Sequence, residues 1–185
     1  MKKLLSFLTA AAIAVSAVPS VFAENTEQTE KILSAVKARI GSTEEYDKFN
    51  SQTYDDGGHT QYNFEWTSEN SDKRLYVSCN ELGVITNYSS YDGSDTYENK
   101  TAFPKVSKED VQKASEDFLS KINPDIKDQL IVDVDENNAV RGSYYISIER
   151  KIDGFKVYGD SGSIRMKNDS TEVRNYNLNY QYVQA

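Results

Sequence analysis

The sequence predicts an α+β fold built from two units, each with one helix packed on an antiparallel sheet. Apolar residues first recur at helical spacing and then alternate with polar ones, and this order occurs twice along the 185 residues. The two occurrences align at an offset of 82 residues, which places Tyr62 on Tyr144. After an apparent insertion the offset is 88, which places Tyr88 on Tyr176. Such self-similarity indicates a duplicated unit.

Two helices are predicted, one at the start of each unit. The first runs from Thr26 to Ile40, with Asn25 as its N-cap and a glycine as its stop. The second runs from Lys108 to Ile122, and Ser107 with Asp110 gives it a start that resembles a capping box. The apolar positions of each helix fall on one face. One such helix covering one face of a sheet is the simplest way to bury both apolar sets.

Period-two alternation after each helix predicts an antiparallel meander in each unit. In the first unit, residues 24–101, the predicted strands are 62–66, 75–79 and 84–88. In the second unit, residues 102–185, the predicted strands are 130–134, 144–150, 155–158, 163–167 and 172–180. Gly, Asn and Asp clusters supply the turns, among them Asp135 to Asn138 and Asp153-Gly154. Residues 89–101 are the predicted connection between the units.

Residues 1–23 are typical of a secretion signal. Two lysines precede an apolar run that ends at Val21-Phe22-Ala23 before the polar Glu24, which predicts cleavage after Ala23. An uncleaved membrane anchor is the alternative, but the run is short for the roughly 20 residues that a spanning helix needs. No later segment is apolar enough to cross a bilayer. We therefore expect a protein that is secreted.

The charge and the cysteine count exclude several classes of protein. Removal of residues 1–23 leaves 162 residues with 19 basic and 29 acidic side chains, a formal charge of −10. This sign disfavours nucleic acid and anionic membrane as partners, since both attract basic surfaces. Cys79 is the only cysteine, which excludes an internal disulfide. Its place in an apolar stretch predicts a buried, inert thiol, so packing alone must stabilise the domain.

The second unit carries motifs that resemble the PepSY superfamily. They read Tyr145-x-Ile-x-x-Glu149-Arg150-x-x-Asp153-Gly154-Phe155-x-Val157-x-Gly159-Asp160, then Ile164-x-Met166, then Glu172-Val173-x-x-Tyr176. The two-unit layout behind a secretion signal is most similar to the YcdB/YcdC repeated domain of secreted bacterial proteins. This resemblance implies a cystatin-like unit of a helix on a sheet in a bacterial protein that is secreted or associated with the cell wall. Related domains are proposed to restrain or chaperone peptidases. It supplies no catalytic residues and no cofactor.

One tetrapeptide raises an enzymatic alternative. Gly159-Asp160-Ser161-Gly162 matches the surroundings of the nucleophile in chymotrypsin-like proteases, so Ser161 with His59 could form a small secreted serine hydrolase. The match ends there, because Ser163 stands where that family has Gly and 162 residues are few for two barrels. We expect instead a tight hairpin turn at 159–162 and a solvated His59. A separation of His59 from Ser161 beyond about 10 Å would exclude the hydrolase.

No metal site is predicted either. Structural zinc needs about four Cys or His ligands, and His59 and Cys79 are the two candidates. Asp133 to Asn137 starts like a calcium-binding EF-hand loop, but Asn138 replaces the glycine that the loop needs and Tyr144 replaces the bidentate glutamate. A strand followed by a turn explains this stretch better.

Tyrosines are the predicted binding residues. They lie near the ends of the two units, where an aromatic edge or face can contact a peptide or a glycan, although many tyrosines also serve as core. The predicted set is Tyr88, Tyr91, Tyr176 and Tyr180, with Tyr97 and Tyr182 nearby. The sequence thus predicts a secreted, non-enzymatic binding or regulatory module of the bacterial cell envelope. Its partner would be a protein such as a peptidase, or a cell-wall component, and a propeptide-like inhibitor is a further alternative.

Overall fold

A computed structural model describes residues 26–93, 104–140, 143–180 and 182, with the backbone alone for residues 135–140. Helix α1 spans Thr26–Ile40 and helix α2 spans Lys108–Ile122, both as predicted. The Ser107 hydroxyl accepts a hydrogen bond from the backbone N–H of Asp110 at 3.1 Å, so the predicted cap of α2 is confirmed. The predictions for residues 1–23 and for Asn25 lie outside the described residues.

The strands form one antiparallel sheet with eight members. In chain order they are β1 Lys48–Asp56, β2 His59–Thr67, β3 Arg74–Asn80, β4 Ile85–Tyr91, β5 Leu130–Val140, β6 Ser143–Ile152, β7 Phe155–Lys167 and β8 Val173–Leu178. Across the sheet the order is β1-β2-β3-β4-β8-β7-β6-β5. Each half of the chain therefore contributes one helix and four consecutive strands. The last strands of the two halves pair at the centre, and β1 and β5 lie at the edges.

The pairing of β4 with β8 places residues of the two halves opposite each other. Tyr88 pairs with Tyr176, and Asn87 pairs with Asn177. Tyr88 and Tyr176 are also the residues that the 88-residue offset aligns. The two sets of four strands thus meet through β4 and β8.

The core lies between the two helices and one face of the sheet. Burial of these apolar side chains contributes roughly 25 cal/mol for each Å² removed from water and is the main stabilising term. From the helices it includes Ile32, Val36, Val111, Leu119 and Ile122. From the sheet it includes Tyr62, Phe64, Trp66, Val77, Tyr144, Ile146, Ile148 and Ile164, which alternate with outward-facing residues as period two requires. The opposite face of the sheet is not covered by either helix.

Asn123, at the end of α2, links the two halves. Its side-chain oxygen accepts a hydrogen bond from the backbone N–H of Ile85 at 2.8 Å. Its Nδ2 donates to the Ile85 carbonyl and to the Tyr176 hydroxyl, each at 2.9 Å. Because Asn123 is 1% exposed, these bonds lie in the interior, where an unmade hydrogen bond is costly.

The sequence predictions missed one strand and placed two turns wrongly. Strand β1 was not predicted because all but one of the residues in Lys48–Asp56 are exposed, so no apolar alternation marks it. The turn predicted at Asp135 to Asn138 is wrong, since β5 continues through it while its pairing with β6 slips between Val134 and Ala139. The hairpin turn predicted at Gly159 to Gly162 is also wrong, because these residues lie inside β7, which joins two predicted strands into one.

Candidate interaction site

The two residues of the hydrolase hypothesis lie far apart in the sheet. His59 begins β2 and Ser161 lies in β7, and the strands β3, β4 and β8 run between them. Neighbouring strands are about 4.8 Å apart, so four spacings separate the two residues by about 19 Å. A nucleophile and its base must approach to about 3 Å. Ser161 and His59 therefore cannot act together in catalysis.

His59 is held by neighbours instead of being freely solvated as predicted. Its Nδ1 lies 2.8 Å from the Glu81 carboxylate, and its ring stacks on Tyr182 with centroids 3.6 Å apart. The hydrogen bond from His59 lowers the pKa of the Glu81 carboxyl, and the Thr60 backbone N–H donates to the same carboxylate. These contacts attach residue 182 to the start of β2 and to the turn between β3 and β4.

Two of the predicted binding tyrosines lie under the helices. Tyr176 is 1% exposed and its hydroxyl accepts a hydrogen bond from Asn123, so it is a core residue that a partner cannot reach. Tyr88 is partly buried and meets the edge of the Phe118 ring at a centroid distance of 5.3 Å. Tyr88 and Phe118 line a cavity of about 190 Å³ between the C-terminal halves of the two helices. This cavity has space for little more than one side chain and is smaller than a typical ligand pocket.

The other predicted tyrosines do not form one surface. Tyr91, 37% exposed, lies on the uncovered face of the sheet. Tyr180 packs on the buried Arg150, with the guanidinium carbon 4.3 Å from the ring centroid. Tyr182 contacts the Tyr180 ring at 5.6 Å, while Tyr97 lies outside the described residues. A binding role for Tyr88, Tyr91 and Tyr180 stays a prediction.

The hairpin between β6 and β7 carries the most exposed aromatic side chains in the described parts of the chain. Phe155 is 79% exposed and Tyr158 is 98% exposed. Asp153 and Gly154 form the predicted turn, and their φ angles of 51° and 83° match the tight hairpin turn that Asp-Gly favours. We refer to residues 151–158 as the aromatic tip.

A bulge in β7 places Tyr158 in solvent. Lys151 pairs with Lys156 and Glu149 pairs with Ser161, so four residues of β7, 157–160, lie opposite Arg150 alone. Gly159 supplies the bend with a φ of 88°, a conformation that costs glycine little and other residues more. The result is an outward-facing Tyr158 and an inward-facing Asp160.

A buried ion pair fixes the bulge. The Arg150 guanidinium donates to the Asp160 carboxylate at 2.8 Å, and the two side chains are 5% and 0% exposed. Arg150 also donates through Nε to the Gln129 side-chain oxygen at 2.8 Å and lies against the Tyr180 ring. Buried charges need this degree of pairing, and partial loss of the network leaves an uncompensated charge. The network therefore holds the base of the aromatic tip in one conformation.

Phe155 and Tyr158 were not predicted as site residues, since the sequence places them in an ordinary strand. Arg150 was the sequence signal that could have revealed the bulge beside these residues. It continues the inward alternation of Tyr144, Ile146 and Ile148, so the pattern directs a charge into the core. A buried arginine requires an acidic partner, and Asp160 can provide one only where β7 departs from regular pairing.

Three further observations concern the thiol, metal binding and membrane crossing. Cys79 is 0% exposed, which confirms the predicted burial of its thiol, and this burial raises the pKa of the thiol to about 12. Within the described ranges, His, Cys, Asp and Glu side chains form no group of three that would hold a metal ion. No described helix combines the length and apolar character needed to cross a membrane.

Comparisons with known proteins agree with this architecture. The family described as the YcdB, YcdC repeated domain matches residues 28–180. Among solved structures, the Bacillus megaterium YpeB C-terminal domain is similar with a TM-score of 0.55 and 10% sequence identity. The similarity covers 84% of this chain and 67% of that one, and at this identity it concerns the fold alone. No curated protein matches the chain.

Proposed function

The chain belongs to the family of the YcdB, YcdC repeated domain, and from this premise we propose that it is a secreted, non-catalytic interaction module of the bacterial cell envelope. In this proposal it binds a partner protein through the aromatic tip. The observation that carries the proposal is the exposure of Tyr158 and Phe155 above a buried ion pair. The absence of a catalytic pair at Ser161 and His59 is consistent with it.

The aromatic tip has the properties of a binding hot spot. Aromatic side chains dominate the energy of protein interfaces. Ordering a flexible loop on binding costs affinity, and a loop that is already fixed avoids that cost. Arg150 and Asp160 fix the strands at the base of the tip before any partner arrives. Two exposed aromatic rings on a fixed hairpin are therefore well suited to enter an apolar cleft.

The tip favours a protein partner of modest charge. It carries Lys151 and Lys156 against Asp153, while Lys156 also pairs with Glu149 at 2.5 Å. This near-neutral surface differs from the excess of acidic residues in the whole chain. A peptidase held in check or chaperoned by the module fits the resemblance to the PepSY superfamily. A cell-wall component bound near Tyr91 on the uncovered face is the second possibility.

The division of the chain is part of the proposal. Residues 1–23 would be the secretion signal, residues 24–101 the first unit with its connection, and residues 102–185 the second. The aligned apolar positions and the palindromic order of the strands support two copies of one ancestral unit. The first copy would then complete the sheet, while the second carries the tip.

Site-specific photo-crosslinking tests the proposal. A photoreactive phenylalanine analogue replaces Tyr158 in the protein expressed in its native host, and irradiated envelope and supernatant fractions are analysed by mass spectrometry. The matched control places the same analogue at Tyr145, which is 46% exposed on β6. A third version at Tyr91 samples the uncovered face. We expect one protein adduct from position 158 that is missing from position 145.

The variant Phe155→Ala with Tyr158→Ala serves as a competitor in the same experiment. Added in excess, the unmodified protein should suppress the adduct, and this variant should not. Adducts of equal yield from positions 158 and 145 would contradict a specific tip. An adduct from position 91 alone, or retention on isolated cell walls that depends on Tyr91, would move the site to the uncovered face.

A further inference from the structure

Strand β1 presents a long unpaired edge. It ends the sheet, and no strand among the described residues pairs with its outer side. Eight of its nine residues are exposed, including Phe49 at 45% and Tyr54 at 47%. Such an edge offers a row of free backbone N–H and C=O groups to another extended segment.

The edge lacks the devices that normally prevent pairing. Proteins protect edge strands with proline, with bulges or with charges in the middle of the strand. Strand β1 pairs with β2 in nine consecutive positions without a bulge, and its charges are confined to its two ends, at Lys48 and at Asp55-Asp56. The opposite edge differs, because the pairing of β5 slips between Val134 and Ala139.

We infer that a second copy of this chain pairs with β1 in antiparallel orientation about Gln52. In this register all nine residues are used, and Lys48 of each copy lies opposite Asp56 of the other. Lys48 and Asp56 lie on the same face of the sheet because they are eight positions apart. Ser51 then faces Thr53, Asn50 faces Tyr54, and Gln52 faces itself. Apart from Phe49, which faces Asp55, the register joins polar side chains to polar ones and opposite charges to each other, as a two-fold interface requires.

Other registers are less favourable. A shift of two residues in either direction leaves end residues without partners and separates Lys48 from Asp56. The ion pair also favours a second copy of this chain as the partner, because β1 itself supplies both Lys48 and Asp56. Lys48 is held in the single chain by Glu69 at 2.7 Å, but both side chains are more than half exposed. Such a surface pair contributes little, so Lys48 can turn to Asp56 of the second copy.

Charge reversal tests both the surface and the register. The purified protein is studied by sedimentation equilibrium over a range of concentrations, together with the variants Lys48→Asp and Asp56→Lys. We expect a concentration-dependent dimer for the wild type, and for each variant a dimer Kd raised by about tenfold or more, because two attractions become repulsions. An equimolar mixture of the two variants should dimerise like the wild type, since both cross-strand pairs are restored between unlike chains.

The control variant is Lys113→Asp on α2, whose side chain is exposed and distant from β1 in the fold. It should dimerise like the wild type, and so should the variant Phe155→Ala with Tyr158→Ala, which separates this inference from the proposed function. Circular dichroism verifies that each variant is folded. A wild type that stays monomeric at all concentrations overturns the inference. So does a dimer that Lys48→Asp and Asp56→Lys leave intact, or a mixture that remains monomeric.

Discussion

The hairpins β2–β3 and β6–β7 occupy corresponding places in the two halves but present opposite surfaces. Between β2 and β3 the chain turns through the polar residues 68–73, and the Ser68 N–H donates to the Lys73 carbonyl at 3.1 Å. The Asp47 carboxylate accepts a further hydrogen bond from the Glu69 N–H at 3.1 Å. Between β6 and β7 the chain instead projects aromatic rings. The same order of elements thus carries a polar turn in one half and an exposed aromatic hairpin in the other.

The two hairpins also differ in whether the ion pair beside them is exposed or buried. Beside the β2–β3 turn, Lys73 pairs with Glu45, and both side chains are at least 40% exposed. Beside the aromatic tip, Arg150 pairs with Asp160, and both are almost completely buried. Exposed pairs are screened by water and contribute little, whereas a buried charge that loses its partner is strongly destabilising. The second half therefore depends on its ion pair and the first half does not.

Removal of one partner from each pair should show this contrast. We expect Asp160→Ala to lower the free energy of unfolding by about 3–5 kcal/mol, because it strands the Arg150 charge in the interior. Glu45→Ala, the matched control in the first half, should cost less than about 1 kcal/mol. Urea unfolding followed by the fluorescence of Trp66 measures both values.

A double variant keeps this test independent of gross misfolding. Arg150→Met with Asp160→Leu removes both charges together and should recover much of the lost stability, since apolar residues of similar size often replace a buried pair at little cost. The picture of a tip anchored by charge would be wrong if Asp160→Ala were no more destabilising than Glu45→Ala.

The ion pair also marks the limit of what the sequence reveals. The two helices, the alternating core strands and the Asp153-Gly154 turn follow from local patterns of apolar and turn-forming residues, so they were predictable. The bulge was not, because Gly159 to Gly162 has the composition of a turn, and it is the pairing with β6 and β8, together with the Arg150–Asp160 ion pair, that keeps it in a strand. Local chemistry is ambiguous where tertiary contacts decide the conformation.

The ends of the two helices give a second contrast between the halves. Helix α1 is followed by Gly41 with a φ of 96°, whereas α2 is followed by Asn123 with a φ of −131°. Gly41 lets the chain leave the helix. Asn123 does the same and also bonds to Ile85 and Tyr176, so it joins the second half to the first.

Substitution of Asn123 and of Gly41 by alanine should separate these two roles. Asn123→Ala should lower the free energy of unfolding by about 3 kcal/mol, because it leaves buried groups of Ile85 and Tyr176 without partners. Gly41→Ala should cost about 1 kcal/mol, the strain of a side chain at positive φ. Urea titration measures the two free energies of unfolding. Calorimetry of Gly41→Ala should still show one cooperative transition. Equal costs would mean that Asn123 is only a helix end.

The candidate binding residues were harder to predict than the fold. Tyr176 and Tyr158 are both tyrosines in alternating stretches, yet one is 1% and the other 98% exposed. The sequence distinguishes the two faces of a strand but not which face a helix will cover, and a bulge reverses the alternation beyond it. Strand β1 was missed for a related reason, since an edge strand that buries nothing has no apolar period.

Cys79 gives the smallest expected effect and reports on the first half alone. Burial raises the pKa of its thiol from 9.0 to about 12, so the folded state favours the neutral form. This contribution is complete below pH 9 and is lost as pH rises toward 12, because only the unfolded chain releases the proton in that window. We expect it to reduce stability by about 1 kcal/mol between pH 9 and pH 10. Urea unfolding of the wild type and of Cys79→Ala at both pH values isolates this difference from the titration of lysines and tyrosines.

At pH 8 a thiol reagent should label the folded protein only as fast as the core around β3 opens. Rapid labelling, or identical pH dependence in Cys79→Ala, would place the thiol at the surface and show that the first half is less well packed than its sheet order indicates.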